Sequence, residues 1–191
     1  MKIEVVEDTG AVFKFKLSDA TNWYANTLRR MAINNVKTFS IDRVTFYENT
    51  SALFDEYIAH RLGLIPLHTP NKGYTEADEI LFTLEAVGPK TVYSGELVSA
   101  DKEIKVANEH IPIIKLASEQ RIRLECKAIM GSALRHAKFQ AGLVTYDHEK
   151  DGPYNFYVES FGQMPPKEII NKAFDAIREE IKEVGKEVKK L

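Results

Sequence analysis

The chain has 191 residues, of which 44% are hydrophobic and 28% charged, so it carries enough apolar side chain for a real core and lacks the signature of disorder. Lys plus Arg number 26 against 28 for Asp plus Glu, and a net charge of -2 gives no overall positive field to hold a polyanion such as DNA. A single cysteine, Cys126, excludes an internal disulfide and any multi-thiolate zinc or iron-sulfur site, which points to a reducing, cytoplasmic setting.

In chain order, Ile3 and Val5, the turn residues Asp8-Thr9-Gly10, and Phe13, Phe15 and Leu17 alternating with Lys14 and Lys16 predict a half-buried antiparallel hairpin. Ser18 and Asp19 are N-cap candidates for a helix over about 20–34, with Ala20, Tyr24, Leu28, Met31 and Asn35 on one stripe. Residues 38–48 read as a strand whose apolar parity switches near Asp42, the mark of a β-bulge. Asn49-Thr50-Ser51 introduces a short helix over 53–62, with Gly63 suited to a left-handed C-terminal position before Pro66. A polar stretch from His68 to Glu79 precedes short strands around 80–86, 91–98 and 121–128, a β-rich lobe. The loop Asp147 to Gly152 leads to a strand over 154–160, and Pro165-Pro166 opens a final helix. No apolar run approaches the 18 or more residues of a membrane span, and the charged N-terminus is not expected to act as a leader.

The final helix places Ile170, Phe174, Ile177, Ile181, Val184, Val188 and Leu191 at successive steps of 4, 3, 4, 3, 4 and 3, a heptad seam on an otherwise charged helix. Burying all seven is worth about 10 to 20 kcal/mol gross. The pattern defines a surface that wants another helix and leaves two partners open: the helix near Leu28 in the same chain, or another chain.

No catalytic constellation stands out. His60, His68, His110, His136 and His148 have no metal-ligand spacing, and Walker A, GxGxxG and GxSxG patterns are absent. Asp55, Glu56, His60 and Arg61 fall close together on one helix, either as an acid-base cluster or as solvated charges. Arg29 and Arg30, and Arg135, His136 and Lys138, form two basic groups able to grip phosphate or carboxylate.

Asn26-Thr27-Leu28-Arg29-Arg30 resembles the NxLRR segment of the RNA polymerase α-subunit superfamily, and FYENTSALFDEYIAHRLGLIPL at 46–67 is similar to the D family of archaeal RNA polymerase subunits within it. YSGEL at 93–97, IPIIKL at 111–116, HAKFQ at 136–140 and YNFYVESFG at 154–162 follow in that family's order. The resemblance implies an α+β fold: a discontinuous dimerisation domain over 1–48 and 146–191, an antiparallel sheet with long helices, and an inserted β-rich domain over 49–145. It implies a non-catalytic assembly subunit of DNA-dependent RNA polymerase that pairs with small subunit L through Tyr24, Leu28, Met31 and the heptad seam. Arg30 and Arg29 are the implied contacts to the large catalytic subunits, followed by His60, Arg61, His136 and Lys138, with small subunits N and P nearby and DNA met only through the assembled complex. No cofactor is expected in this chain: the catalytic magnesium is expected in the largest subunit, and the cysteine-rich, ferredoxin-like insertion of many relatives is replaced by the short passage from Tyr146 to Tyr154. Ala133 stands where the family's GxGxxHAK pattern usually has its second glycine, so a left-handed backbone is not expected there.

Overall fold

The computed structural model describes residues 1–148, 150 and 152–190. In chain order the elements are β1 (Lys2–Asp8), β2 (Val12–Ser18), α1 (Asn22–Asn34), β3 (Thr38–Asn49), α2 (Asp55–Gly63), β4 (Glu79–Val87), β5 (Lys90–Tyr93), β6 (Val98–Ser99), β7 (Pro112–Leu116), β8 (Arg121–Gly131), β9 (Gly142–His148), β10 (Tyr154–Ser160) and α3 (Pro166–Val188). The fold is α+β, and it divides into one unit built from 1–37 and 132–191 and a second from 38–131.

In the first unit, the antiparallel sheet has the order β1-β2-β10-β9. Alternation of apolar and lysine side chains along β2 turns Phe13, Phe15 and Leu17 inward, where they join Phe156 and Val158 of β10 and Val144 of β9. Phe15 stacks on Phe156 with ring centroids 4.8 Å apart. Onto this face pack Ala25, Leu28, Met31 and Ala32 of α1 and Ile169, Ile170 and Ala173 of α3. Thr21, not Ser18 or Asp19, occupies the N-cap position of α1, without a side-chain capping hydrogen bond, and Asp19 takes a left-handed φ of 55° at the strand-to-helix corner. Pro166 fills the first turn of α3, where its missing N–H costs nothing. Gly142 opens β9 because the strand runs tight against β10: a Cβ there would meet the Glu159 carbonyl oxygen at 2.2 Å.

The second unit holds a sheet of order β3-β8-β4-β6 and a two-stranded sheet of β5 and β7. The expected bulge in β3 is present between Ile41 and Arg43, and a second lies between Phe46 and Glu48. Ile58 and Leu62 of α2 enter a core with Phe39, Phe82, Leu84 and Leu124. Cys126 is buried in the same core, which pushes its thiol up to about 12 and leaves it inert as a nucleophile.

Several expectations change. The hairpin is not evenly half-buried: β2 alternates, whereas β1 is exposed along nearly all its length. Gly63 ends α2 without a left-handed backbone, and its carbonyl instead accepts a 2.8 Å hydrogen bond from the Ser40 hydroxyl. The stretch 91–98 is not one strand but β5, a 3-10 turn at Ser94–Glu96, and β6. The units divide at 37/38 and 131/132, whereas the expected domain cuts at 48/49 and 145/146 fall inside β3 and β9. Thr38 pairs with Gly131, so β3 from its first residue and β8 to its last belong to the β-rich unit. Leu191 of the seam and Glu149 and Asp151 of the expected loop lie outside the described residues.

Candidate interaction surfaces

Three surfaces gather the residues singled out in the sequence, two on the first unit and one on the second. Among the described residues no group of three or more His, Cys, Asp or Glu is placed to hold a metal. No helix among them is long and apolar enough to cross a membrane. Asp55, Glu56, His60 and Arg61 do not form an acid-base cluster: the Asp55 carboxylate accepts a 2.7 Å hydrogen bond from Asn49, and Arg61 turns to backbone carbonyls of β7.

The first surface runs along α3. Its seam has two fates. Ile170 is buried, and Phe174 and Ile177 pack against the core of the first unit, with Asn35 below α1 donating a 2.8 Å hydrogen bond to Glu180. One turn further on, Ile181, Val184 and Val188 are 66%, 64% and 60% exposed. Leu28 and Met31, expected at the interface, are instead buried in the unit's own core, and Tyr24 is half-buried beside them. The lone-chain packing of the seam is therefore real for its first half and absent for its described second half. Lys172, half-buried on the same helix, has its ammonium held below the usual lysine range by desolvation, partly offset by Glu168.

Beside this helix lies a groove the sequence did not reveal. Ile3 and Val5 pair across the ladder with Leu17 and Phe15, which are fully buried, yet they are themselves more than half exposed. Together with Phe13, Phe15, Ile170 and Phe174 they line an open apolar hollow between the sheet edge and α3. Alternation marked Ile3 and Val5 as inward-facing, but how far α3 reaches across the sheet is a tertiary fact.

The second surface is the outer face of α1. Trp23, Thr27, Arg30 and Asn34 recur at steps of 4, 3 and 4, a stripe about 16 Å long opposite the buried face. Trp23 is 70% exposed, and Arg30 is exposed beside it. Arg29 is half-buried and tied to Asn26 by a 2.9 Å hydrogen bond, so it is held in the helix rather than presented. At the far end, the Leu134 amide donates to the Asn34 carbonyl at 3.2 Å, which brings the turn 132–138 onto the end of α1. This contact sets the second basic group of the sequence at the end of the helix that carries the first. Leu134 and His136 are exposed there, the His136 Nδ1 accepts from the Lys138 amide at 3.0 Å, and the Arg135 and Lys138 cations lie 5.8 and 5.2 Å from the Phe139 ring centroid. Ala133 is not left-handed, as the alanine implied. Trp23 and Leu134 went unnoticed in the sequence; a lone Trp on the polar stripe of an amphipathic helix is the signal that marks the first.

The third surface is α2 in the second unit. His60 is exposed on its outer face, whereas the Arg61 Nε donates to the Ile113 carbonyl at 2.9 Å and its Nη2 to the Pro112 carbonyl. Arg61 is thus a strut between α2 and β7, not a free contact residue. Phe54, Tyr57 and Leu64 are exposed on the same element.

An α+β unit closed from both ends of the chain and interrupted by a β-rich unit is an RNA polymerase α-like architecture. The family model for the RNA polymerase Rpb3/RpoA insert domain matches residues 44–147. The chain is 44% identical to the DNA-directed RNA polymerase subunit Rpo3 of Methanocaldococcus jannaschii, over 88% of this chain and 86% of that protein. It is 33% identical to the subunit Rpo3 of Halobacterium salinarum, over 92% of each. It is 44% identical to that of Thermococcus kodakarensis, of whose length it spans 60%. The chain belongs to the archaeal Rpo3, or D-type, family of DNA-directed RNA polymerase subunits.

Proposed function

We propose that this chain is the non-catalytic assembly subunit of an archaeal RNA polymerase, pairing with small subunit L to form the platform on which the large catalytic subunits assemble. The observation that carries the reading is the abrupt exposure of the α3 seam from Ile181 onward, beside the apolar hollow between β1 and α3. Three aliphatic side chains at heptad spacing, each worth about 1.5 to 3 kcal/mol on burial, are what a pairing helix offers. In this reading Ile181, Val184 and Val188 with Ile3, Val5 and Phe174 receive subunit L, and Tyr24 lies at the margin. Leu28, Met31 and Ile170 support that face from inside.

The α1 stripe is the proposed large-subunit contact, with Arg30 and Trp23 at its centre and Leu134, His136 and Lys138 at its end. Arginine and tryptophan are the side chains that most often dominate interface energies. Nucleotidyl transfer and its magnesium belong to the largest subunit in this proposal. The chain itself needs no cofactor, acts in the cytoplasm beside subunits N and P, and meets DNA only through the complex.

The test is absolute mass by size-exclusion chromatography with light scattering, for the chain alone and after co-expression with subunit L. The expected result is a one-to-one complex, abolished by Ile181→Glu with Val184→Glu while the melting midpoint of the lone chain is unchanged. A lone monomer indifferent to L, or a twofold homodimer that ignores L, overturns the pairing.

A further inference from the structure

The open half of α3 holds a residue that the heptad seam does not explain. Gly185 lies inside the helix, directly after Val184, and α3 continues past it to Val188. Its backbone is not left-handed, so no turn demands a glycine there. A Cβ at this position would meet no atom within 4 Å among the described residues. Glycine is the least favourable helix-interior residue apart from proline, and on an exposed, charged helix alanine, lysine or glutamate would hold the turn better. Local propensity argues against the residue that is present, and packing within the chain gives no reason for it.

The helical period sets what Gly185 borders. Residues three and four positions away are its neighbours on the surface, so it sits between Ile181 and Val188 on one side and Lys182 and Lys189 on the other. Both aliphatics are more than half exposed, and both lysines are exposed. The result is a notch floored by helix backbone, with aliphatic walls toward the seam and two cations on its outer lip. Across the seam the charge reverses: Glu180, Glu183 and Glu187 stand on the far flank, with Glu180 accepting from Asn35 at 2.8 Å and Glu187 from Lys190 at 2.6 Å. The two flanks of the exposed seam are therefore unlike, and the notch lies on the basic one.

We propose that Gly185 is the point of closest approach between α3 and the helix that pairs with it, and that this helix sets a large apolar side chain into the notch with carboxylates beside it. Without a Cβ at the crossing, two helix axes can come nearer than the roughly 8 to 10 Å usual for packed helices. Ile181 and Val188 then cover the inserted side chain, while Lys182 and Lys189 meet carboxylates of the partner helix and fix its position along α3. The inference rests on the pairing proposed above and adds to it a crossing point and the chemistry of the partner's face.

The test measures the affinity of the full-length chain for subunit L, together with the far-ultraviolet circular dichroism and melting of the lone chain. Gly185→Ala is expected to raise the helical signal of the lone chain and to weaken pairing about fivefold or more, two effects of opposite sign that a merely exposed glycine does not produce. Gly185→Leu is expected to weaken pairing further with melting of the lone chain unchanged. Lys182→Glu with Lys189→Glu is expected to weaken it at low salt and less at high salt. Pairing of both Gly185 variants at wild-type strength overturns the proposal. So does tighter pairing of Gly185→Ala, which would mean that the glycine only loosens the helix end. If Ile181→Glu with Val184→Glu abolishes pairing while the Gly185 variants pair as wild type, the pairing with L stands and the crossing point falls; if the seam variant pairs normally, the pairing reading fails and takes this one with it.

Discussion

The two halves of α3 carry one repeating pattern and meet different surroundings. From Pro166 to Ile177 the helix lies on the sheet and α1, and it buries Ile169 and Ala173 in addition to seam residues, so its buried stripe is wider than the heptad alone. From Ile181 to Val188 the same spacing faces solvent. The first half is a core helix and the second a half-made interface, and nothing in the local sequence separates them except the loss of apolar residues beside the seam. Gly185 makes the contrast sharper: a Cβ there would touch nothing in this chain, so the residue forgoes about 1 kcal/mol of helix propensity without any packing reason within it.

Substitution in the two halves should break this symmetry most visibly. Ile170→Ala is expected to destabilise the first unit by about 2 to 5 kcal/mol in chemical denaturation, whereas Ile181→Ala should change the lone chain by less than about 0.5 kcal/mol. Equal effects would mean that the distal seam is covered. A second contrast sets Arg61 against Arg30. Arg61→Ala removes two charge-assisted hydrogen bonds to β7 and should cost about 1.5 to 3 kcal/mol of stability of the second unit, while Arg30→Ala should leave melting unchanged and lower large-subunit recruitment on reconstitution. The smallest effect concerns pH. Asp101 accepts hydrogen bonds from the amides of Glu103 and Ile104 at 2.7 and 3.1 Å and from the Tyr74 hydroxyl at 3.0 Å, and the two amides chiefly hold its carboxyl below the usual value. A depressed folded pKa adds stability that is present above the unfolded value of 3.8 and is lost as pH falls through the folded one. Asp101→Asn should therefore reduce stability by about 1 kcal/mol at neutral pH and flatten its decline below pH 3.8, as measured by urea denaturation across that range.

Much of the fold was legible because its local signals agree. β2, β10 and the start of α3 combine clean alternation or a proline at the first turn with flanking turn residues, and the bulge at Asp42 announced itself as a change of parity. β7 and β9 escaped for opposite reasons. In β7 the adjacent Ile113 and Ile114 are both buried, so no alternation shows, and Pro112 reads as a breaker although it only opens the strand. β9 begins on Gly142, whose need for close approach to β10 is invisible before that pairing exists. For the surfaces, sequence pattern identified the seam but not where its burial stops, and the resemblance that implied Arg61 as a contact carried no sign that its guanidinium bonds to backbone carbonyls within the chain. Trp23, Phe54 and Leu134 became candidates only when their exposure was visible.

The pairing of Thr38 with Gly131 has a consequence for how the discontinuous unit forms. Its N-terminal hairpin and α1 are complete long before β9, β10 and α3 follow in the chain, and holding the ends of an intervening random segment of roughly ninety residues together would cost about 4 kcal/mol of closure entropy. Once the β-rich unit has folded, its entrance and exit are neighbours on adjacent antiparallel strands, and that cost has vanished for the sheet that must close across them. The insertion thus acts as a covalent clip, doing for its host what a long-range cross-link does in a secreted domain, in a chain whose one thiol could not make such a link.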